Sequence, residues 1–366
     1  MSRKSRWLAE WRKSAGKPVF YHVISRVVDR RFVLGVEEKE KFRMLMRMQE
    51  KFTGCRATSY CLMDNHFHIL LEVPPMAESG LSDEGLLRRL SAIYSEALVA
   101  GVAKELADAK TVVYANEGGL DEAVAAIHKR FTYRMHDLGE FMKGLLQRFT
   151  QWFNRTHSRT GRLWEDRFKS VIVEDGVAAK TISAYIDLNP VRAGMVKDPA
   201  DYRWSSYGEA IGGGAKGNGK TARAGLVRAL QAHQGTGADA DLWTGGVSRE
   251  YRKLLMAGAV GKSSVSVGRD GKEITKTLRK GISREDANKE RAKDGEISLG
   301  KALRCRVRYF TDGAVIGSKE FVNEAFASAR ERFGAKRKDG ARTMRGSGSG
   351  AKGLLWSIRD LHKGIS

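Results

Sequence analysis

The chain has 366 residues, 42% of them apolar, enough for two domains and a well-buried core. Lys and Arg outnumber Asp and Glu by 65 to 43, and the resulting net charge of +22 points to a polyanionic partner, most simply nucleic acid rather than acidic lipid. No apolar run reaches the length of a membrane span, and Met1–Lys17 is basic and broken by charge, unlike a signal peptide, so a cytoplasmic, nucleoid-associated protein is expected. Cys55, Cys61 and Cys305 lack a metal-type spacing and are expected as reduced thiols, the first two in ordinary strand packing.

A basic arm covers 1–17, where Trp7 and Trp11, four apart, share a helical face suited to docking on a core. Val19 to Val28 (VFYHVISRVV) is rich in β-branched and aromatic residues and predicts the first strand, followed by a basic turn, Asp29-Arg30-Arg31. Phe42, Leu45, Met46 and Phe52 recur at helical spacing between Glu37 and Phe52. Two short strands over 55–63 and 66–73 follow, joined at Asp64-Asn65 and closed by Pro74-Pro75. Residues 76–139 interrupt the pattern as a helical insertion to which no chemistry is assigned, with His128 and His136 expected on its surface.

Phe141, Leu145, Phe149, Trp152 and Phe153 predict a helix, GRLWEDRFKS opens at Gly161, and FKSVIV predicts a strand. A helix then runs from about Val177 to Asn189, because Pro190 disfavours helical geometry at the residue before it. Allowing for the insertion, the order is that of an α+β, ferredoxin-like βαββαβ domain over 18–211 with one appended helix. A Gly-rich linker is expected over 212–224 and a mainly helical region over 225–366. Within it, helices from Leu299 to Thr311 and from Ser318 to Phe333, joined across 312–317, fit a helix-turn-helix near 299–333 or a plain helical hairpin. Residues 330–366 form a basic tail, whose 330–352 portion holds eight Lys or Arg against two acids.

The chemistry-bearing residues fall on two of these elements. In His66-Phe67-His68 strand alternation sends both imidazoles to one face and Phe67 to the other. Two imidazoles so placed can share a metal ion, or can simply decorate a solvated face. On the 177–189 helix, Tyr185 and Asn189 are four apart and share a face. They suit a joint site, or else a packing tyrosine and a C-terminal cap.

Four motifs in order, YHVISR at 21–26, YCLMDNHFHILLEVP at 60–74, GRLWEDRFKS at 161–170 and AYIDLNPVRAGMV at 184–196, resemble the REP-associated tyrosine transposases of the single-tyrosine HUH superfamily, over about residues 18–208. RYFTDGAVIGSKEFVNEAF at 308–326 resembles extensions on some members. The resemblance implies a metal-dependent single-stranded DNA endonuclease and strand transferase acting on hairpin-forming repeats through a 5′-phosphotyrosine. Tyr185 would be the nucleophile, and His66 and His68 two ligands of a divalent ion, Mg²⁺ or Mn²⁺. Asn189 would be the third ligand, where other members often have Gln. Arg26, Arg30, Arg31, Arg162, Arg167, Lys169 and Arg192, beside or inside the motifs, are candidates for phosphate contacts with single-stranded or hairpin DNA, and Trp164 or Phe168 for base stacking.

Neither a monomer nor a homodimer is selected, and no membrane partner is expected. The alternative from another class is a non-cleaving DNA- or RNA-binding regulator on the same fold. A replication or mobilisation nuclease of the superfamily is a further alternative, although those tend to differ in motif order or carry helicase modules.

Overall fold

A computed structural model describes residues 6–112, 120–213, 218–231, 243–259, 262–267, 273–279, 285, 288, 308–311, 313–344 and 355–358. After a short helix, α1 (Glu10–Ser14), the chain runs β1 (Val19–Arg26), α2 (Val36–Thr53), β2 (Arg56–Leu62), β3 (His66–Val73), an insertion, α6 (Leu138–Thr156), β4 (Lys169–Val173) and α7 (Val177–Asp187). The four strands lie in the order β2-β3-β1-β4, each pair antiparallel. This is the expected ferredoxin-like arrangement in an α+β chain.

Alternation along the strands builds two cores. Val19, Tyr21 and Val23 of β1 and Phe67, Ile69 and Leu71 of β3 meet Phe42 and Met46 of α2 and Leu145 and Phe149 of α6. On the other face, Phe20 and Leu70 meet Ile182, Tyr185 and Ile186 of α7. The α2 helix carries Glu37 and Glu38 in its first turn and Lys51 in its last, complementing the helix dipole. It ends at Gly54, whose φ of 75° is a left-handed conformation that costs a glycine little. Gly144 lets α6 approach α2: a Cβ there would sit 2.7 Å from Gln49 Nε2.

The insertion holds α3 (Asp83–Leu90), α4 (Glu96–Val112) and α5 (Leu120–Thr132), and Leu86, Leu90, Val102 and Leu106 make a satellite core against Phe52 of α2. Its two histidines, expected on the surface, are half-buried. His128 Nε2 lies 2.7 Å from Asp83 Oδ1, and His136 Nδ1 lies 3.0 Å from the Pro74 carbonyl oxygen. Cys55 and Cys61 are buried free thiols, and Cys305 lies outside the described residues. Trp7 and Trp11 both dock, with ring centres 5.7 Å from Phe333 and 6.2 Å from Phe321, but Trp7 precedes α1, so the two do not share the helical face that their spacing suggests.

Beyond α7 come α8 (Asn189–Ala193), α9 (Ser206–Gly212), α10 (Asn218–Gln231) and α11 (Gly245–Ala259), then a hairpin of β5 (Lys262–Val267) and β6 (Glu273–Arg279). The α10 helix begins inside the stretch expected as a linker, and its Leu226 and Ala229 join the core under α7. Residues 299–307 of the anticipated helix-turn-helix lie outside the described residues. Its connecting segment holds a strand, β7 (Val315–Gly317), parallel to β4, where the sequence suggests only a turn.

In the expected basic tail, β8 (Arg342–Thr343) and β9 (Trp356–Ile358) extend the sheet to the order β2-β3-β1-β4-β7-β9-β8. Strands of two or three residues are too short to show alternation in a sequence, so β-branched Val315 and Ile316 left no periodic signal. No helix among the described residues is long and apolar enough to cross a membrane.

Candidate active site

The β3 strand starts at His66, one residue after the Asp64-Asn65 turn, and its pairing with β1 puts His66 opposite Arg26 and His68 opposite Ile24. The turn is tied down from several sides. Lys39 Nζ donates to Asp64 Oδ1 at 2.5 Å, and the amides of Leu34 and Val27 donate to the carbonyls of Asp64 and Asn65. Asn65 Nδ2 donates to the Arg30 carbonyl at 3.0 Å, in a basic turn where Asp29 and Arg30 take left-handed φ values of 57° and 56°. Because a carbonyl can only accept, that bond fixes which end of the amide faces His66, and His66 Nδ1 lies 2.7 Å from Asn65 Oδ1.

His68 is 3% exposed and has a neighbour that pattern reasoning assigned no role. His22 of β1 is fully buried, with Nε2 3.0 Å from His68 Nδ1 and Nδ1 2.8 Å from the carbonyl oxygen of Phe310. The clue in the sequence was YHVISR itself. His22 shares the α7-facing side of β1 with Phe20 and Ile24, but only the register with β3 reveals its partner. Phe310 lies in the RYFTDGAVIGSKEFVNEAF stretch, where nothing local ties it to β1.

Burial pushes His22 down to about 4. Burial, with help from the Arg26 charge, does the same for His66, also to about 4. His68 is held well below the ordinary histidine range by burial and by the neighbouring His22, His66, Arg26 and Arg192. At neutral pH the three rings are therefore uncharged, the form in which imidazole can ligate a metal.

Tyr185, from the last turn of α7, points into the same place. Its ring lies edge-on to His22 and His68, with centres 5.8 Å from each, and against Phe310 at 4.7 Å. The Arg192 guanidinium sits 4.8 Å over its centre, and the side chain is 2% exposed. Asn189 follows one helical turn later, where Nδ2 donates to the carbonyls of Tyr185 at 3.2 Å and Ile186 at 3.1 Å. The amide thus serves as a cap for α7, and because both partners are acceptors its Oδ1 is the end turned away from them.

His66 and His68 have ring centres 5.1 Å apart. Two imidazoles bound through nitrogen at about 2.1 Å to adjacent positions on one ion have centres roughly 5 Å apart, so this pair suits a shared ion. Among the described residues no group of three or more His, Cys, Asp or Glu side chains is arranged to hold a metal.

The basic residues form a border. The Val27–Trp164 bridge, with hydrogen bonds from Val28 N to Leu163 O and from Glu165 N to Arg26 O, lays the GRLWEDRFKS segment beside the end of β1. Arg30, Arg31, Arg162, Arg167 and Lys169 are exposed along these two segments, while Arg26 and Arg192 are half-buried nearer the histidines and the tyrosine. Trp164 is no free stacking platform: its ring packs on Phe42, Phe67 and Phe149 and its Nε1 donates to Thr150 Oγ1. Phe168 carries the Arg6 guanidinium 3.5 Å over its ring.

Residues 17–81 match the family model described as "Transposase IS200 like", which bears out the resemblance drawn from the motifs over that segment and supports a transposase role. No curated protein matches the chain. Among solved structures, "Structure of the REP associates tyrosine transposase bound to a REP hairpin" is similar at 13% identity and a TM-score of 0.36, covering 60% of this chain and 90% of that one.

Proposed function

We propose that the protein is a metal-dependent nuclease and strand transferase for single-stranded, hairpin-forming DNA, with Tyr185 as its nucleophile. The observation that carries this reading is the meeting of Tyr185 with His68, from elements more than a hundred residues apart in the chain, at a ring separation of 5.8 Å, beside a His66–His68 pair whose own ring centres are 5.1 Å apart. His66, His68 and the Asn189 carboxamide oxygen would hold a divalent ion, Mg²⁺ or Mn²⁺, which when bound would supply charge to polarise a non-bridging phosphate oxygen.

The Tyr185 oxygen forms a bond to phosphorus as the bond from phosphorus to the 3′ oxygen breaks, and the phenolic proton is balanced by the one the departing 3′-hydroxyl gains. The product is a 5′-phosphotyrosyl link, from which a second 3′-hydroxyl can regenerate a phosphodiester without ATP. Arg26 and Arg192, nearest the reacting groups, would bind the phosphate. Arg30, Arg31, Arg162, Arg167 and Lys169 would guide the strand along the border.

A non-cleaving nucleic-acid-binding regulator is the second reading, favoured by the burial of Tyr185 beneath Phe310. One experiment separates them. Labelled single-stranded hairpin oligonucleotides are incubated with Mg²⁺ or Mn²⁺ and resolved on a denaturing gel. A covalent adduct and nicked product are expected from the wild type, and neither from Tyr185→Phe, which still shifts the oligonucleotide. Binding without metal-dependent nicking in the wild type favours the regulator, and undiminished cleavage by Tyr185→Phe sinks the nucleophile assignment.

A further inference from the structure

The HUH pair is held by two hydrogen-bond relays, each ending on a backbone carbonyl. In the first, the Arg30 carbonyl accepts from Asn65 Nδ2 at 3.0 Å, which turns Asn65 Oδ1 toward His66 Nδ1 at 2.7 Å. An oxygen acceptor at that distance requires the proton on Nδ1, and a neutral imidazole then carries its lone pair on Nε2.

The second relay runs through His22. The Phe310 carbonyl can only accept, so His22 Nδ1, 2.8 Å away, donates to it. His22 is fully buried and its nitrogens meet a carbonyl and an imidazole, not a carboxylate, so a cation there would be desolvated without compensation. The neutral ring leaves Nε2 bare, and at 3.0 Å it accepts the proton of His68 Nδ1. His68 is thereby left, like His66, with its lone pair on Nε2.

We propose that His22 and Asn65 are positioning residues that fix His68 and His66 in the Nδ1-protonated tautomer and so present both as Nε2 ligands. This rests on the metal reading above and goes beyond it. It gives a task to a histidine outside the HUH triplet, and it makes the C-terminal segment at Phe310, 288 residues from His22 in the chain, part of the metal site's support. Outer hydrogen-bond partners of ligating histidines set ring orientation and basicity, and their loss commonly lowers metal affinity about 10–100-fold.

The test uses the full chain, metal-free and labelled with ¹⁵N-histidine, in long-range ¹⁵N–¹H correlation spectra, followed by Mn²⁺ titration calorimetry. In the wild type both His66 and His68 are expected to carry the proton on Nδ1. His22→Phe, which fills the space without an acceptor, should release His68 from that tautomer, leave His66 unchanged and weaken Mn²⁺ binding about 10–100-fold. Asn65→Ala should do the converse for His66. His22→Gln, whose amide can donate to Phe310 and accept from His68, should restore both readouts in part.

A wild-type His68 protonated on Nε2, or a His22→Phe protein with unchanged tautomer and Mn²⁺ affinity, overturns the proposal. The wild-type spectrum decides even if a variant fails to fold. Wild-type protein with both Nδ1 protons in place but no Mn²⁺ uptake overturns the ligand role, whereas failure to form the Tyr185 adduct in protein that binds Mn²⁺ bears only on the proposed reaction.

Discussion

At the scale of single residues, α7 carries two polar groups with different tasks. Tyr185 faces the histidines. Asp187, fully buried, accepts from the Tyr207 backbone amide at 3.0 Å and from the Tyr251 hydroxyl at 2.7 Å, which ties α9 and α11 to α7. Burial raises its carboxyl to about 7 despite those donors. The folded state therefore holds a proton that the unfolded chain releases near 4, so the stability Asp187 contributes is complete below about pH 4 and is lost as pH rises toward 7. Asp187→Asn keeps an acceptor for Tyr207 and cannot ionise. Its stability relative to the wild type should rise between pH 5 and pH 7, at about 1.4 kcal/mol per pH unit inside that window. Urea unfolding at the two pH values measures it, and a constant difference would contradict the burial argument. The lowered histidines act with the opposite sign: His22 and His66 cost stability as pH falls from about 6.5 to about 4.

At the scale of elements, the short helical turn Arg308–Thr311 matters because it places Phe310 on α7. The ring is fully buried against Tyr185, so Phe310→Ala should cost about 3 kcal/mol of stability, at the low end for a buried phenylalanine, and open the face of the tyrosine. Labelling with tetranitromethane and peptide mapping should show Tyr185 modified faster in the variant, and an unchanged rate would mean that other groups shield it. The contrast in legibility is physical. The first four strands, α2, α6 and α7 could be read because alternation and helical spacing persist over five residues or more, and His66-Phe67-His68 and Tyr185-x-x-x-Asn189 are local patterns within them. The relay from Phe310 through His22 to His68 depends on register and on a contact 288 residues apart, which no window on the sequence contains.

At the scale of the whole molecule, the Gly-rich stretch looked like a boundary because glycine punctuates chains, yet the residues after it complete the body before it. The hydrophobic contacts of α10 were not predictable from its own pattern, since a helix packing on a sheet and one packing on a separate domain have the same periodicity. What marks the difference is an ion pair. Glu72 of β3 is 1% exposed, and Arg228 of α10 grips it in a fork, Nε to Oε1 at 2.9 Å and Nη2 to Oε1 at 2.7 Å. A carboxylate so placed is compensated only while α10 stays docked. Arg228→Met should therefore destabilise the whole body that carries the histidines by about 3–5 kcal/mol, because it strands a buried charge. The double variant Glu72→Leu with Arg228→Met should recover most of that loss, since it removes the charge as well as its partner. Unfolding followed both by tryptophan fluorescence and by the His66 and His68 ring signals should shift together in the single variant. A shift confined to one probe would show that the segment beyond the Gly-rich stretch unfolds apart from the sheet that carries the histidines.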